Sequence, residues 1–201
     1  MNNKVMFKIQ YGLFVLTARE GDKDNGCIIN TALQVTSTPC QITIAVNKDN
    51  YTHDMIHRTK EFNVSIIAEN AHFDLFQYFG FQTGKEVDKF ANYPNANRSE
   101  NGIYYVTEGT NSYISATVVG ETDMGTHTVF SAVVTGGEIL TDVNSTTYNY
   151  YQCNIKPAAT PPKSKGWLCT VCGYIYEGDP LPEGYICPIC KHGVEAFEKI
   201  E

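Results

Sequence analysis

The sequence predicts a mainly β protein with a few helices, a barrel filling about the first 155 residues, followed by a small metal-binding module. Short runs rich in Val, Ile, Thr and aromatic residues recur between Gly, Pro and Asn turn signals. Helical patterns intervene irregularly instead of alternating with strands, which argues against a doubly wound sheet. The stretch Lys156-Pro157-Ala158-Ala159-Thr160-Pro161-Pro162-Lys163-Ser164-Lys165 holds three prolines in ten residues, favours an extended tether, and sets 1–155 apart from 166–201.

Taken in order, Tyr11 to Thr17 reads as a strand leading to a loop that ends in Asn25-Gly26, a dipeptide suited to tight reversal. Cys27 to Val35 reads as the returning strand, with a break at Ser37-Thr38-Pro39. In Gln41 to Val46, Ile42, Ile44 and Val46 alternate with polar neighbours, the period of a half-buried strand. Asn50-Tyr51-Thr52 is expected to cap a short helix over His53 to Arg58, with Asp54 in its first turn. Phe62 to Ile67 is a further strand. Asn70 is expected to cap a helix from Ala71 to Phe79, closed by Gly80. From Tyr104 onward, Ile114 to Val119, Thr126 to Val134 and Gly137 to Leu140 are β-branched strands.

Hydrophobic content of 42%, charged content of 18% and the absence of a long apolar run describe a folded domain without a bilayer span. The start Met1-Asn2-Asn3-Lys4-Val5 has no signal-peptide apolar region, so a cytoplasmic location is expected. A formal charge of −7 disfavours nucleic acid as a partner. Residues 166–201 carry two Lys against six Asp or Glu, an acidic bead suited either to a basic docking partner or simply to solubility. Seven cysteines are present; Cys27, Cys40 and Cys153 are expected as free thiols.

The other four form two Cys-x-x-Cys pairs, Cys169/Cys172 and Cys187/Cys190, with fourteen residues between them. Four thiolates make a tetrahedral cage that selects zinc or iron. Gly173 allows the left-handed backbone that turns amide groups back toward sulfur. Trp167, Tyr174, Tyr176 and Phe197 supply the aromatic packing that so small a module needs. The run Trp167-Leu168-Cys169-Thr170-Val171-Cys172-Gly173-Tyr174-Ile175-Tyr176, then Cys187-Pro188-Ile189-Cys190 and Phe197-Glu198, closely resembles rubredoxin. It departs in a shorter gap between the pairs and in Lys191, which stands where a second glycine is usual. The resemblance implies one iron ion moving one electron at a time.

No G-x-G-x-x-G follows a strand, so a Rossmann domain is not supported. Three segments point to a flavin instead. Asn25 to Pro39 offers backbone and short polar side chains that could edge a planar ring. Asn47-Lys48-Asp49-Asn50-Tyr51-Thr52-His53 enters a helix whose unpaired N–H groups suit a phosphate, with Thr52 and His53 as added donors. Asp123 to Phe130 is a turn delivering His127 into a strand.

Together with Tyr11-Gly12, Phe62-Asn63-Val64, Asp88-Lys89-Phe90 and Thr147-Tyr148-Asn149-Tyr150-Tyr151, these segments resemble the flavin reductase-like family, an FMN-binding split β-barrel. The resemblance implies that Cys27, Ile28, Ile29, Asn30, Thr31, Gln34, Val35 and Thr36 line the isoalloxazine and ribityl chain, Ile28 through its backbone. Asn47, Asn50, Tyr51, Thr52 and His53 would take the phosphate. His127 would sit near the flavin and the incoming nicotinamide, and a homodimer is implied.

A flavin accepts hydride from NADH and releases electrons singly, as a one-iron site requires. The whole chain resembles a flavin reductase–rubredoxin fusion of anaerobic bacteria. That implies an NAD(P)H-dependent oxidoreductase delivering electrons to a protein acceptor, a flavodiiron protein that reduces dioxygen or nitric oxide.

Overall fold

The computed structural model describes residues 5, 8–157, 166–189 and 192–200. Two compact units are formed, Met1–Lys156 and Pro157–Glu201.

In the first unit, β1 (Phe14–Glu20) and β2 (Lys23–Ile29) form a hairpin whose two-residue turn holds Gly21 at φ 59. The reversal is therefore four residues earlier than Asn25-Gly26 suggests. Those two residues lie within β2, opposite Ala18 and Thr17. Gly26 is needed there for packing: a Cβ would come within 3.1–3.2 Å of the Phe79 ring and Thr17 Cγ2. The absent side chain lets α2 (Phe73–Gly80) lie against the strand.

The strand expected over 27–35 is broken: β2 ends at Ile29, and only Asn30 and Thr31 precede β3 (Ala32–Ser37). After a cis Thr38–Pro39 bond come β4 (Cys40–Asn47), α1 (Tyr51–Thr59) and β5 (Glu61–Ile67). Of the expected capping run it is Asn50 that caps α1, its side chain accepting from the Thr52 N–H, and the helix begins at Tyr51, two residues before the expected His53. The second helix differs from expectation. It is capped by His72 without a side-chain bond, includes Gly80, and ends at Phe81. A small ladder of β6 (Ala96–Arg98) and β7 (Tyr104–Val106) precedes the long hairpin of β8 (Thr110–Asp123) and β9 (His127–Ile139). The two strands expected over 126–140 are one, its ladder with β8 shifting register at Ser115/Ala116 and again at Val118/Gly120. The short α3 (Tyr148–Tyr150) follows.

Seven antiparallel strands form one sheet in the order β2-β1-β5-β8-β9-β4-β3. Its two edges, β2 and β3, are consecutive in the chain and separated by two residues, so the sheet has to curl until they meet. The result is a barrel with a seam between β2 and β3. β1 is buried on both sides. Phe14, Leu16 and Ala18 join Ile42, Ile44, Val46, Phe62, Val64 and Phe130 inside the barrel, while Leu13 and Val15 pack outside on Leu75, Phe76 and Phe79 of α2. Met55 and Ile56 of α1 are fully buried in the barrel core.

In the second unit, β10 (Gly166–Cys169) is flanked by β11 (Ile175–Tyr176) and β12 (Phe197–Ile200). Its core is Cys169, Cys187, Ala196 and Phe197, ringed by Trp167, Tyr174, Tyr176 and Tyr185. The tether over 158–165 lies outside the described residues. Among the described residues, no helix is long and apolar enough to cross a membrane.

Candidate functional site

The metal centre is built on two loops. β10 delivers Cys169, and a tight turn brings Cys172 back beside it. Gly173 adopts φ 80 as its position requires, and its N–H donates to the Cys169 carbonyl (2.8 Å), so this amide is taken by oxygen and not by sulfur. The Cys169 N–H donates to Tyr174 O (2.7 Å), closing the knuckle. The Cys187 N–H donates to His192 O (2.8 Å). The sulfurs of Cys169, Cys172 and Cys187 all lie within 4.8 Å of one another, with Cys172 and Cys187 3.4 Å apart. A tetrahedral ion with metal–sulfur bonds of about 2.3 Å places its ligands about 3.8 Å apart. The three thiols therefore fit one ion. Cys190, the fourth expected ligand, and Lys191 lie outside the described residues. Beside the cluster, Tyr185 packs at a tilt on Tyr176 (4.7 Å) and edge-on against Phe197 (5.5 Å), and its hydroxyl bonds that of Tyr174 (3.2 Å). That bond, then burial, pushes the Tyr185 phenol up to about 12.

The expected flavin residues are gathered along the seam and at the start of α1. The α1 N-terminus meets β2 directly: Asn25 Nδ2 donates to Thr52 Oγ1 (2.9 Å). The Cys27 thiol lies beside the Thr52 and Asn50 side chains, and burial pushes it up. Asn47 faces His127 across the β4–β9 ladder, and the Lys48 N–H donates to Thr126 O (3.0 Å). The turn ahead of His127 is held by the Gly125 N–H on Asp123 Oδ1 (2.8 Å) and by Lys48 Nζ on the same oxygen (2.6 Å). The lysine, then the amide, holds the Asp123 carboxyl below its usual range. His127 itself is half-buried, its Nδ1 2.9 Å from Thr126 Oγ1.

Several expected side-chain roles do not match this geometry. Thr52 is fully buried and its hydroxyl is turned toward Asn25, not outward to a phosphate. His53 is engaged at both ring nitrogens, Nε2 with Thr128 Oγ1 (2.9 Å) and Nδ1 with Asp54 (3.1 Å), and packs on Phe130. Asn25 and Cys27 are likewise buried in the wall. Gln34 and Val35 are exposed and Thr36 half-buried on the edge strand β3. Thr36 pairs with Gln41, at the opposite end of β4 from Asn47.

One polar atom in this wall is unsatisfied: Asn25 Oδ1 is buried without a hydrogen-bond partner and faces Gly84. Sequence reasoning did not single out Lys23, whose ammonium stands 4.6 Å over the Tyr51 ring at the first residue of α1. Placing the hairpin turn at Gly21 would have put Lys23 beside that helix. Nor was a separate role assigned to Lys89, which is buried with its ammonium on Gly26 O (2.8 Å) and Phe79 O (2.9 Å).

Residues 6–159 match the family model described as flavin reductase like domain, and residues 167–198 match that described as rubrerythrin, rubredoxin-like domain. Over 231 aligned residues the chain is 35% identical to the high molecular weight rubredoxin of Moorella thermoacetica, the match covering the whole of both chains. It is 34% identical to the ferric-chelate reductase (NAD(P)H) of Archaeoglobus fulgidus, covering 80% of this chain and 94% of that one. The NADH:FAD oxidoreductase of Streptomyces globisporus shares the fold, with a TM-score of 0.65 at 20% identity over 72% of this chain and 84% of that one. The chain belongs to the flavin reductase-like family and, like the high molecular weight rubredoxins, carries a rubredoxin-like domain behind its barrel.

Proposed function

We propose that the protein is an NAD(P)H-dependent oxidoreductase that passes electrons from NADH through FMN to an Fe(Cys)4 centre and on to a protein acceptor, a flavodiiron protein that reduces dioxygen or nitric oxide. The observation that carries this reading is the pairing, in one chain, of a flavin reductase-like barrel with three thiols spaced for a single ion. When bound, FMN would supply the conversion of a two-electron hydride donor into single electrons, and iron a one-electron store, chemistry that no side chain carries.

The residues have separable tasks. The start of α1 offers the positive end of the helix to the phosphate, with Lys23 as a nearby cation, while Asn50 already takes the Thr52 and His53 N–H groups. The outer edge of β3 and the Asn30-Thr31 link offer backbone groups to the ring, so contact at Ile28 and Ile29 is also through main chain. His127, fixed beside the β4–α1 turn, positions the nicotinamide. Cys169, Cys172, Cys187 and Cys190 are ligands, not nucleophiles. Leu33 and Val35, 64% and 51% exposed on β3, support a homodimer in which a second copy covers this edge.

Replacing Cys172 with Ser tests the order of carriers. Mixed with NADH under argon, the variant should still bleach its flavin at the wild-type rate while reduction of the protein acceptor is lost. Equal loss of both activities would refute the order. Protein from iron-replete anaerobic cells that held zinc and no flavin would refute the circuit itself.

A further inference from the structure

A cavity of about 260 Å³ lies alongside α2, and none of its lining residues belongs to the proposed flavin or metal sites. Asp74 and Leu75 of the first helical turn form one side, Tyr78 and Tyr93 another, and Asn95 and Glu108 come from the segments beside β6 and β7. The tyrosine rings are 5.0 Å apart and inclined at 34°. Tyr78 is fixed by its hydroxyl, which donates to the Lys89 carbonyl (2.9 Å). The Glu108 carboxylate accepts from the Asn95 amide, and Asp74 accepts from the Leu75 N–H (2.9 Å).

The charge of the lining decides what can enter. Neither Lys nor Arg is among the described lining residues; His72, exposed beside Asp74, is the one basic side chain there, so two carboxylates face at most one opposing charge. Burial, then Glu108, Tyr78 and Asp74, pushes the Tyr93 phenol well above its ordinary range, so it stays neutral and adds no third negative charge. Such a field repels phosphate and carboxylate ligands, including flavin mononucleotide and nicotinamide dinucleotides. It attracts a cation, and the aromatic and aliphatic walls favour one with an apolar stem.

We propose that this cavity is a binding site for an alkylammonium group, its head between Asp74 and Glu108 and its stem along Tyr78, Tyr93 and Leu75. The group can be supplied by a free amine or by a lysine side chain of a protein. Equilibrium dialysis of the full-length holoprotein tests the site with 1,4-diaminobutane as the free amine and Nα-acetyl-lysine amide as the side-chain stand-in. At least one of the two binds saturably, butane-1,4-diol does not, and raising the salt concentration weakens binding to the unaltered protein. The Asp74→Asn/Glu108→Gln double variant weakens binding by about tenfold or more. Which amine binds identifies the source. Failure of both amines, equal binding of the diol, insensitivity to salt, or undiminished binding by a folded double variant would overturn the assignment.

Discussion

Lys89 places a cation inside the barrel wall, donating to the carbonyls of Gly26 and Phe79 and so joining β2 to the end of α2. Burial pulls its ammonium below the usual lysine range, with the neighbouring Cys27 acting the other way. Lys89→Met fills similar space and leaves both carbonyls unpaired, so stability should fall by about 2–3 kcal/mol. Urea unfolding at constant m reads this directly; a loss under about 0.5 kcal/mol would mean that water reaches the carbonyls. Cys27, on the strand that Lys89 holds, gives a second test at this scale. Its thiol is pushed above its ordinary value of 9.0, first by burial. The folded state therefore keeps a proton that the unfolded chain releases, so this contribution to stability is complete below pH 9.0 and is lost as pH rises past it. At pH 8, iodoacetamide should modify the exposed Cys40 and Cys153 and leave Cys27 intact, as mass spectrometry would show. Rapid labelling of Cys27 in folded protein would contradict its burial.

Among the elements, those governed by nearest neighbours are legible in the sequence. The Asn50 cap is one, the interruption at Pro39 another, and the left-handed Gly173 a third. The features that escape such reading depend on partners distant in the chain. Asn25-Gly26 carries a local hairpin signal, yet Phe79 packs on Gly26 from 53 positions away and keeps the dipeptide in a strand. Ile28, Ile29, Ala32 and Leu33 read as one apolar run, and only closure of the sheet places a corner at Asn30-Thr31. The same limit applies to the site. Local signals led to the expectation of a phosphate cradle at the start of α1 but do not show that Thr52 and His53 turn inward, because their partners Asn25 and Thr128 lie on strands distant in the chain. The cap is the element whose removal is most informative. Asn50→Ala should lower stability by about 1 kcal/mol, and Asn50→Ser, which restores a capping oxygen, should recover most of it. Thermal unfolding of the three proteins measures the series. If the start of α1 holds the phosphate, FMN retention through gel filtration should decline in the same order.

At the scale of the whole molecule, the two units differ in what can hold them together. The barrel has two large hydrophobic clusters, one inside it with α1 and one outside it with α2, enough to fold on hydrophobic burial. The second unit has four buried residues at its centre, and two of them, Cys169 and Cys187, are proposed metal ligands. Without the ion, those thiols leave Ala196 and Phe197 as the remaining buried core, too little for a chain under about 40 residues. Metal binding and folding should therefore be one event in residues 166–200 and separate events in the barrel. Trp167 makes this measurable, because it is the only tryptophan in the chain and packs against the cysteine cluster. Removing the metal with a chelator under reducing conditions should shift tryptophan emission to longer wavelength, the signature of a ring entering water. Over the same titration, the far-ultraviolet signal and thermal midpoint of the barrel should hold. If tryptophan emission stays in place after the metal is gone, the aromatic ring of Tyr176, Tyr185 and Phe197 sustains the unit unaided. If the barrel melts with it, the two units are not energetically independent, and the tether does more than join them.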